Sequence, residues 1–181
     1  MGEEQWEAEG LGEWTVRELV GHANRALLTV ETYLDQPSET IEVTRPVDYF
    51  VRAMAAIGDP AVVAARGREA GQALGDDPIA TVRETSKRVL ARVNETPDEA
   101  RLTTPVGGMR LIDYLPSRVF ELTIHTLDLG AAIDIELSLP EAASVTTLQL
   151  VAELAQQPGK AAPLLLAATG RRPLPPGFSV L

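Results

Sequence analysis

The stretch RVFELTIHTLDL, residues 118–129, constrains the fold of this chain more than any other stretch. On a helix, at roughly 100° per residue, four polar side chains fall in one stripe about 80° wide, while Leu, Ile, Val and Phe cover the other sides. The four polar residues are Arg118, Glu121, His125 and Asp128. A helix that is apolar on its other sides should be buried. Either the stripe is the one side that faces water, or it lines a polar site inside a bundle.

Composition indicates what surrounds this helix. The chain has 181 residues, enough for one domain with a sizeable core. Aromatic residues make up only 4%, so Leu, Val, Ile and Ala must build the core, which favours helices packed on helices. We therefore predict a single all-α helical-bundle domain over residues 1–181. Residues 1–13 form an irregular lead-in, and residues 171–181 form a proline-rich, extended tail.

Charge and residue usage exclude several classes of function. The formal net charge of -10 repels phosphate backbones and anionic lipid surfaces, so we expect no nucleic-acid partner and no membrane partner. The absence of cysteine excludes disulfides, thiolate zinc sites and a cysteine nucleophile. The acidic start MGEEQWEAEG lacks the basic and apolar segments of a signal peptide. We expect a cytoplasmic protein.

The best-marked helix start lies at Thr15. Thr15 and Glu18 have the spacing of a capping box, and Trp14 and Leu19 occupy the two positions of a hydrophobic staple around it. Helical spacing of apolar residues then predicts a helix over residues 15–35. His22 lies at the edge of its apolar stripe, from which it can reach into a bundle interior.

Proline and capping signals predict the other elements. A second helix begins at Pro46 and runs through Val51, Met54 and Ile57, and Asp59-Pro60 and Asp77-Pro78 each begin another helix. Whether the helices after Pro46 and Pro60 are one bent helix stays open. Residues 97–102 are predicted to form a helical turn, and residues 103–109 a loop or short hairpin. The next helix begins between Arg110 and Tyr114 and ends near Gly130. A capping box of Ser138 and Glu141 begins another helix, and residues 161–168 form a short one.

Residues with ligand chemistry are few in this chain. Glu121 and His125 are spaced i, i+4, which puts both on one helix face, and His22 is the only other histidine. Two His and one Glu form a common zinc ligand set that leaves a position open for water or substrate, with Arg118 and Asp128 available to orient the ligands. Ordinary alternatives stay open at this point. An i, i+4 Glu–His pair is often a surface ion pair, and His22 alone is more often a half-buried histidine.

Two segments resemble motifs of the DinB-like, mycothiol-dependent maleylpyruvate isomerase family. The first motif reads roughly G-W-[ST]-V-x-[DE]-L-x-x-H, and the second reads R-x-x-E-x-x-x-H-x-x-D-L. The chain matches the first at Trp14, Thr15, Val16, Glu18, Leu19 and His22, with Glu13 where a glycine is usual, and the second at Arg118, Glu121, His125, Asp128 and Leu129. The segment TGRRPL at 169–174 is similar to the way many members end.

The resemblance implies a DinB-like four-helix bundle, here with additional short C-terminal helices and the extended tail. It implies a divalent metal, usually zinc, held by His22, Glu121 and His125. It also implies mycothiol or a similar low-molecular-weight thiol as cosubstrate, held as thiolate for attack on a small electrophilic substrate. The expected activity is a metal- and thiol-dependent transfer or isomerisation. Arg25 is a candidate cofactor-binding residue, although a surface arginine is the simpler interpretation.

Two other hypotheses remain. The first is a non-catalytic metal-binding regulatory or interaction module of the same fold, and the second is an inert helical scaffold in which Glu121 and His125 form an exposed pair.

Family members usually have a helix before the first motif, for which residues 1–13 are short. An open bundle face is then closed by the helix near 140–156 or by a second subunit, which makes a homodimer.

Overall fold

A computed structural model describes residues 2–56 and 60–181 of the chain. Within these residues the structure has eight helices and one two-stranded sheet. The elements in order are α1 (Glu3–Trp6), α2 (Val16–Leu34), α3 (Pro46–Ala56), α4 (Pro60–Gln72), α5 (Pro78–Glu95), β1 (Arg101–Thr104), β2 (Gly107–Arg110), α6 (Leu111–Ala132), α7 (Glu141–Leu154) and α8 (Ala161–Ala168).

Helix α2 lies at the centre of the bundle and packs against α4, α5 and α6. Its start confirms the predicted capping box. Thr15 accepts a hydrogen bond from the Glu18 backbone N–H, and the Glu18 side chain accepts one from the Thr15 N–H at 2.9 Å. Val16 and Leu19 are fully buried just after this cap. The cap thus fixes where α2 begins and which of its faces turns inward.

The core continues between α6 and its neighbours. Helix α6 packs against α2, α3 and α7, and the hairpin leads directly into it. In the hairpin Leu102 pairs with Met109, and both side chains are fully buried. A core cluster of buried side chains joins these residues to Tyr114 and Phe120 of α6 and to Leu150 and Leu154 of α7. Helix α7 therefore covers the α3 and α6 side of the bundle.

The fold confirms the predicted all-α DinB-like bundle with additional C-terminal helices. Helices α2, α3, α5 and α8 begin and end close to their predicted bounds, and Asp77 caps α5 by accepting a hydrogen bond from the Ala80 N–H at 3.0 Å. Residues 171–181 form no helix or strand. Two predicted features, Ile57 in the second helix and the Asp59 cap, lie outside the described residues, so the relation between α3 and α4 stays open.

Three local predictions were wrong. The first was the Ser138 capping box: α7 begins at Glu141 after Pro140, without a side-chain cap bond, because a residue that precedes proline is disfavoured in helical conformation. The second was the helical turn at 97–102. Only a turn near Asp98 forms, since Leu102 gains more by burial in the hairpin. The third was the irregular lead-in, which contains the short helix α1, packed against α2.

Helix α6 begins at Leu111, one residue after Arg110, so Pro116 lies inside it. Asp113 lies in the first turn, and its carboxylate accepts hydrogen bonds from the Arg110 guanidinium, at 2.5 Å from Nε and 2.9 Å from Nη2. None of the helices in the described ranges is long and apolar enough to cross a membrane.

Candidate metal centre

The packing of α2 against α6 brings the three predicted ligands together. His22, Glu121 and His125 each offer one ligand atom, and these atoms lie within 4.8 Å of one another. The rings of His22 and His125 meet edge to face, with centroids 4.8 Å apart. All three side chains are half-buried. Of the two interpretations of the polar stripe, the structure therefore bears out the interior one.

His125 lies between two carboxylates of its own helix. Its Nε2 is 3.3 Å from Glu121 Oε2, and its Nδ1 is 3.0 Å from Asp128 Oδ2. A carboxylate only accepts hydrogen bonds, so Nδ1 donates to Asp128 and a neutral ring turns its Nε2 lone pair toward Glu121. Two acceptors that face each other need a proton or a metal cation between them. Asp128 thereby orients the ring in the way that outer carboxylates orient metal-binding histidines.

The ionisation of these groups follows from that contact. Burial alone would lower the pKa of His125, but the hydrogen bonds and charges of Glu121 and Asp128 outweigh it and raise that pKa. Burial alone would raise the pKa of Glu121, but the His125 hydrogen bond and the Arg118 charge lower it below its usual value. Without a metal, the pair therefore favours a proton on His125 and a charged Glu121.

His22 behaves differently from His125. Burial, reinforced by the neighbouring His125, lowers the pKa of His22 to about 4, so its imidazole is neutral at pH 7. Its Nδ1 is buried and has no hydrogen-bond partner in the described residues. An unpaired buried nitrogen costs free energy. Ligation of a cation would offset this cost, so the residues present suit a metal ion.

Trp14 packs against the His22 ring. The two ring centroids are 4.4 Å apart, and the Trp14 Nε1–H donates to the Ala64 carbonyl of α4 at 3.0 Å. The indole lies so close to Gly67 that a Cβ at this position would overlap its ring. Helix α4 therefore supplies both a hydrogen-bond acceptor and the space that Trp14 needs.

A cavity of about 320 Å³ has two of the three residues, His22 and Glu121, in its wall. Apolar side chains from α3 and α4 form much of the remaining wall, and Leu181 of the tail also contributes. Two other predicted site residues, Arg25 and Arg118, line the same cavity. Arg118 donates from Nε to Ser117 Oγ at 3.0 Å, so this bond does not reach a candidate ligand.

Several wall residues could not be identified from the sequence alone. Tyr49 of α3, Arg66 of α4 and Leu181 are far from the motifs in sequence and carry no local signal of a site. Trp14 belongs to the first motif, but its stacking on His22 depends on the approach of α4. These residues are brought to the site by packing between helices.

Comparison with known protein families agrees with this geometry. The family model described as mycothiol maleylpyruvate isomerase N-terminal domain matches residues 1–130. The chain belongs to this family. The matched region contains all three candidate ligands and Asp128, while α7 and α8 lie beyond it. No curated protein and no solved structure matches the chain significantly. Membership relates the protein to mycothiol-linked DinB-like proteins.

Proposed function

We propose that this member of the family binds one divalent metal ion, zinc by preference, through His22, Glu121 and His125. With that ion it would use mycothiol, or a similar small thiol, in a transfer or isomerisation on a small electrophilic substrate. One observation carries the proposal: ligand atoms from two helices converge within 4.8 Å at the wall of a cavity. Three protein ligands beside a cavity are the arrangement that a catalytic metal site requires.

The residues have distinct parts in this proposal. His22 offers a neutral imidazole, because its pKa is about 4. His125 is held by Asp128 so that Nε2 turns toward Glu121, whose carboxylate supplies negative charge. When bound, the metal would act as a Lewis acid that lowers the pKa of a thiol and holds the thiolate. Trp14 and the apolar cavity wall keep water away from the buried Nδ1 of His22.

The absence of cysteine supports a thiol that arrives with the cosubstrate. A chain with no sulfur nucleophile of its own can use only a sulfur delivered from outside. The family to which the chain belongs is itself described by mycothiol. The cavity beside His22 and Glu121 favours an enzyme over a binding module, because a module has no need of space at the metal.

A thiol-consumption assay tests this function. Zinc-loaded protein is incubated with mycothiol and a panel of activated alkenes, epoxides and alkyl halides, and free thiol is measured over time. We expect consumption above the protein-free rate with at least one class of electrophile, and its loss on addition of a chelator. An isomerisation releases the thiol again, so the ratio of cis to trans alkene is followed in the same samples. Zinc binding that accelerates neither thiol consumption nor alkene isomerisation would instead identify a non-catalytic metal-binding module.

Removal of the Asp128 carboxylate should weaken metal binding without breaking a ligand bond. We expect Asp128→Ala to lower zinc affinity about 10- to 100-fold, the usual effect of losing the carboxylate that orients a metal-binding histidine. Competition against a chromophoric chelator measures the affinity. Glu136→Ala is the control. It removes an exposed carboxylate that lies outside the group of candidate ligands, so this variant should bind zinc like wild type. Equal affinities in both variants would contradict this role of Asp128.

A further inference from the structure

The cavity beside the candidate metal centre is unusually basic for this chain. Three arginines, Arg25, Arg66 and Arg118, line it, although the chain as a whole has a formal net charge of -10. Glu121 is the one acidic side chain in the wall. In the proposed function its charge is used by the metal ion, and none of the three guanidinium groups forms an ion pair with a carboxylate of the described residues.

Arg118 is the decisive member of this group. Its side chain is buried, and the residue is only 8% exposed. Its guanidinium lies over the rings of Tyr114 and Tyr49, with Cζ 4.7 Å and 5.2 Å from their centroids. The hydrogen bond from Nε to Ser117 leaves the two terminal nitrogens without a carboxylate partner in the described part of the chain.

Several other arginines of the described residues have a carboxylate partner. Arg45, Arg88, Arg92 and Arg110 form ion pairs with carboxylates near the surface, where such pairs contribute little to stability. Arg118 is buried, where an unpaired charge costs much more, and it has no such pair. A buried guanidinium that faces a cavity, with no carboxylate of the described residues within ion-pair distance, indicates that the contacting anion belongs to a ligand.

The ligand chemistry follows from the shape of the group and its surroundings. A guanidinium presents paired N–H donors that match the two oxygens of a carboxylate. Arg25 lies on α2 one turn after His22, so Arg25 and Arg118 approach the cavity from the same two helices as the candidate metal ligands. Helices α3 and α4 supply the apolar part of the lining, beside Tyr49 and Arg66 of the same helices: Phe50, Ala53, Met54, Val62 and Val63.

We infer that Arg118 and Arg25 form a carboxylate-binding subsite, with Arg66 at its rim, for a ligand with an apolar body. The ligand's carboxylate binds the two arginines, its apolar part packs on the α3 and α4 wall, and its reactive end lies toward His22 and Glu121. The last part rests on the proposed function, because it takes the metal centre as the place of reaction. The carboxylate is carried by the electrophile, or by a thiol other than mycothiol, because the cysteine carboxyl of mycothiol is joined to its sugar as an amide.

A matched pair of unreactive ligands tests the subsite on metal-free protein, so that no zinc ion can hold the carboxylate. The two ligands are 4-phenylbutyrate and 4-phenylbutyramide, and calorimetry would measure the affinity of each. We expect the acid to bind about 10- to 100-fold more tightly, as charge-assisted hydrogen bonds imply. Arg118→Gln and Arg25→Gln should each remove most of this preference. Arg83→Gln removes an exposed arginine of α5 outside the cavity and should leave the preference unchanged.

The second arm identifies the source of the carboxylate. N-acetylcysteine and N-acetylcysteine amide are compared in the same way, and a larger preference in this pair assigns the carboxylate to the thiol. Equal affinities of acid and amide in both pairs would overturn the inference, as would variants that keep the preference. If Arg118→Gln fails to fold by its thermal transition, Arg25→Gln decides. A carboxylate preference in a protein that binds no zinc would leave the subsite standing and overturn the proposed function alone.

Discussion

Replacement of His22 by alanine should lower zinc affinity by about two to three orders of magnitude. The free energy of zinc binding to four-ligand sites is about 10–16 kcal/mol, so one ligand accounts for about 2.5–4 kcal/mol, which is a factor of about 10² to 10³. Glu121 and His125 would remain on α6 and keep weak binding. Competition with a chromophoric chelator at pH 7 measures this loss.

A second variant separates ligation from packing. The His22 ring stacks on Trp14, so alanine also leaves a space in the bundle. His22→Phe keeps an aromatic ring against Trp14 but has no nitrogen lone pair. Both variants should lose zinc affinity to a similar extent, while His22→Phe unfolds closer to the wild-type temperature. If His22→Phe keeps wild-type affinity, His22 is a core histidine and not a ligand.

Gly21→Ala should destabilise the protein, although alanine is the better helix former. Within a helix the exchange of glycine for alanine favours folding by about 0.5–1 kcal/mol. Here a Cβ would overlap the backbone of Ala70 and Gly71 in α4, and backbone atoms cannot rotate away. Overpacking of this kind costs about 1–3 kcal/mol or more, so we expect a net loss of about 2 kcal/mol in the free energy of unfolding. Urea denaturation measures it.

The same methyl group at Gly2 is the control. Nothing lies within 4 Å of a Cβ at that position, so Gly2→Ala should unfold like wild type. Gly21→Ala should also weaken zinc binding, since α4 supports Trp14 and Trp14 packs on the adjacent His22. A Gly21→Ala protein that is as stable as wild type would show that α2 and α4 lie farther apart than described.

Sequence reasoning succeeded where a few residues determine the local structure. The capping box at Thr15 and Glu18 set the start of α2, and the i, i+4 spacing put Glu121 and His125 on one face of α6. The i, i+3 spacing likewise brought Asp128 to Nδ1 of His125. Such contacts depend on helix geometry alone. The link from His22 to α6 needed the family motif, because no local rule says which helices become neighbours.

Features that depend on packing between distant segments were not predictable in this way. The supporting role of Arg118 at the metal ligands stays a prediction, whereas its position over Tyr49 and Tyr114 follows from the packing of α3 on α6. The burial of Leu102 likewise explains why the end of the 97–102 segment forms a strand and not a helical turn. The predicted helix start at Ser138 was wrong for a local reason, because a proline follows two residues later.

The central claim is that His22, Glu121 and His125 bind one metal ion together, and anomalous diffraction from zinc-loaded crystals tests it most directly. Data collected on both sides of the zinc absorption edge locate the ion without assumptions about its ligands. We expect one strong anomalous peak about 2.0–2.2 Å from one atom of each of the three side chains. A crystal with no such peak, or with zinc held only by other acidic residues, would contradict the claim.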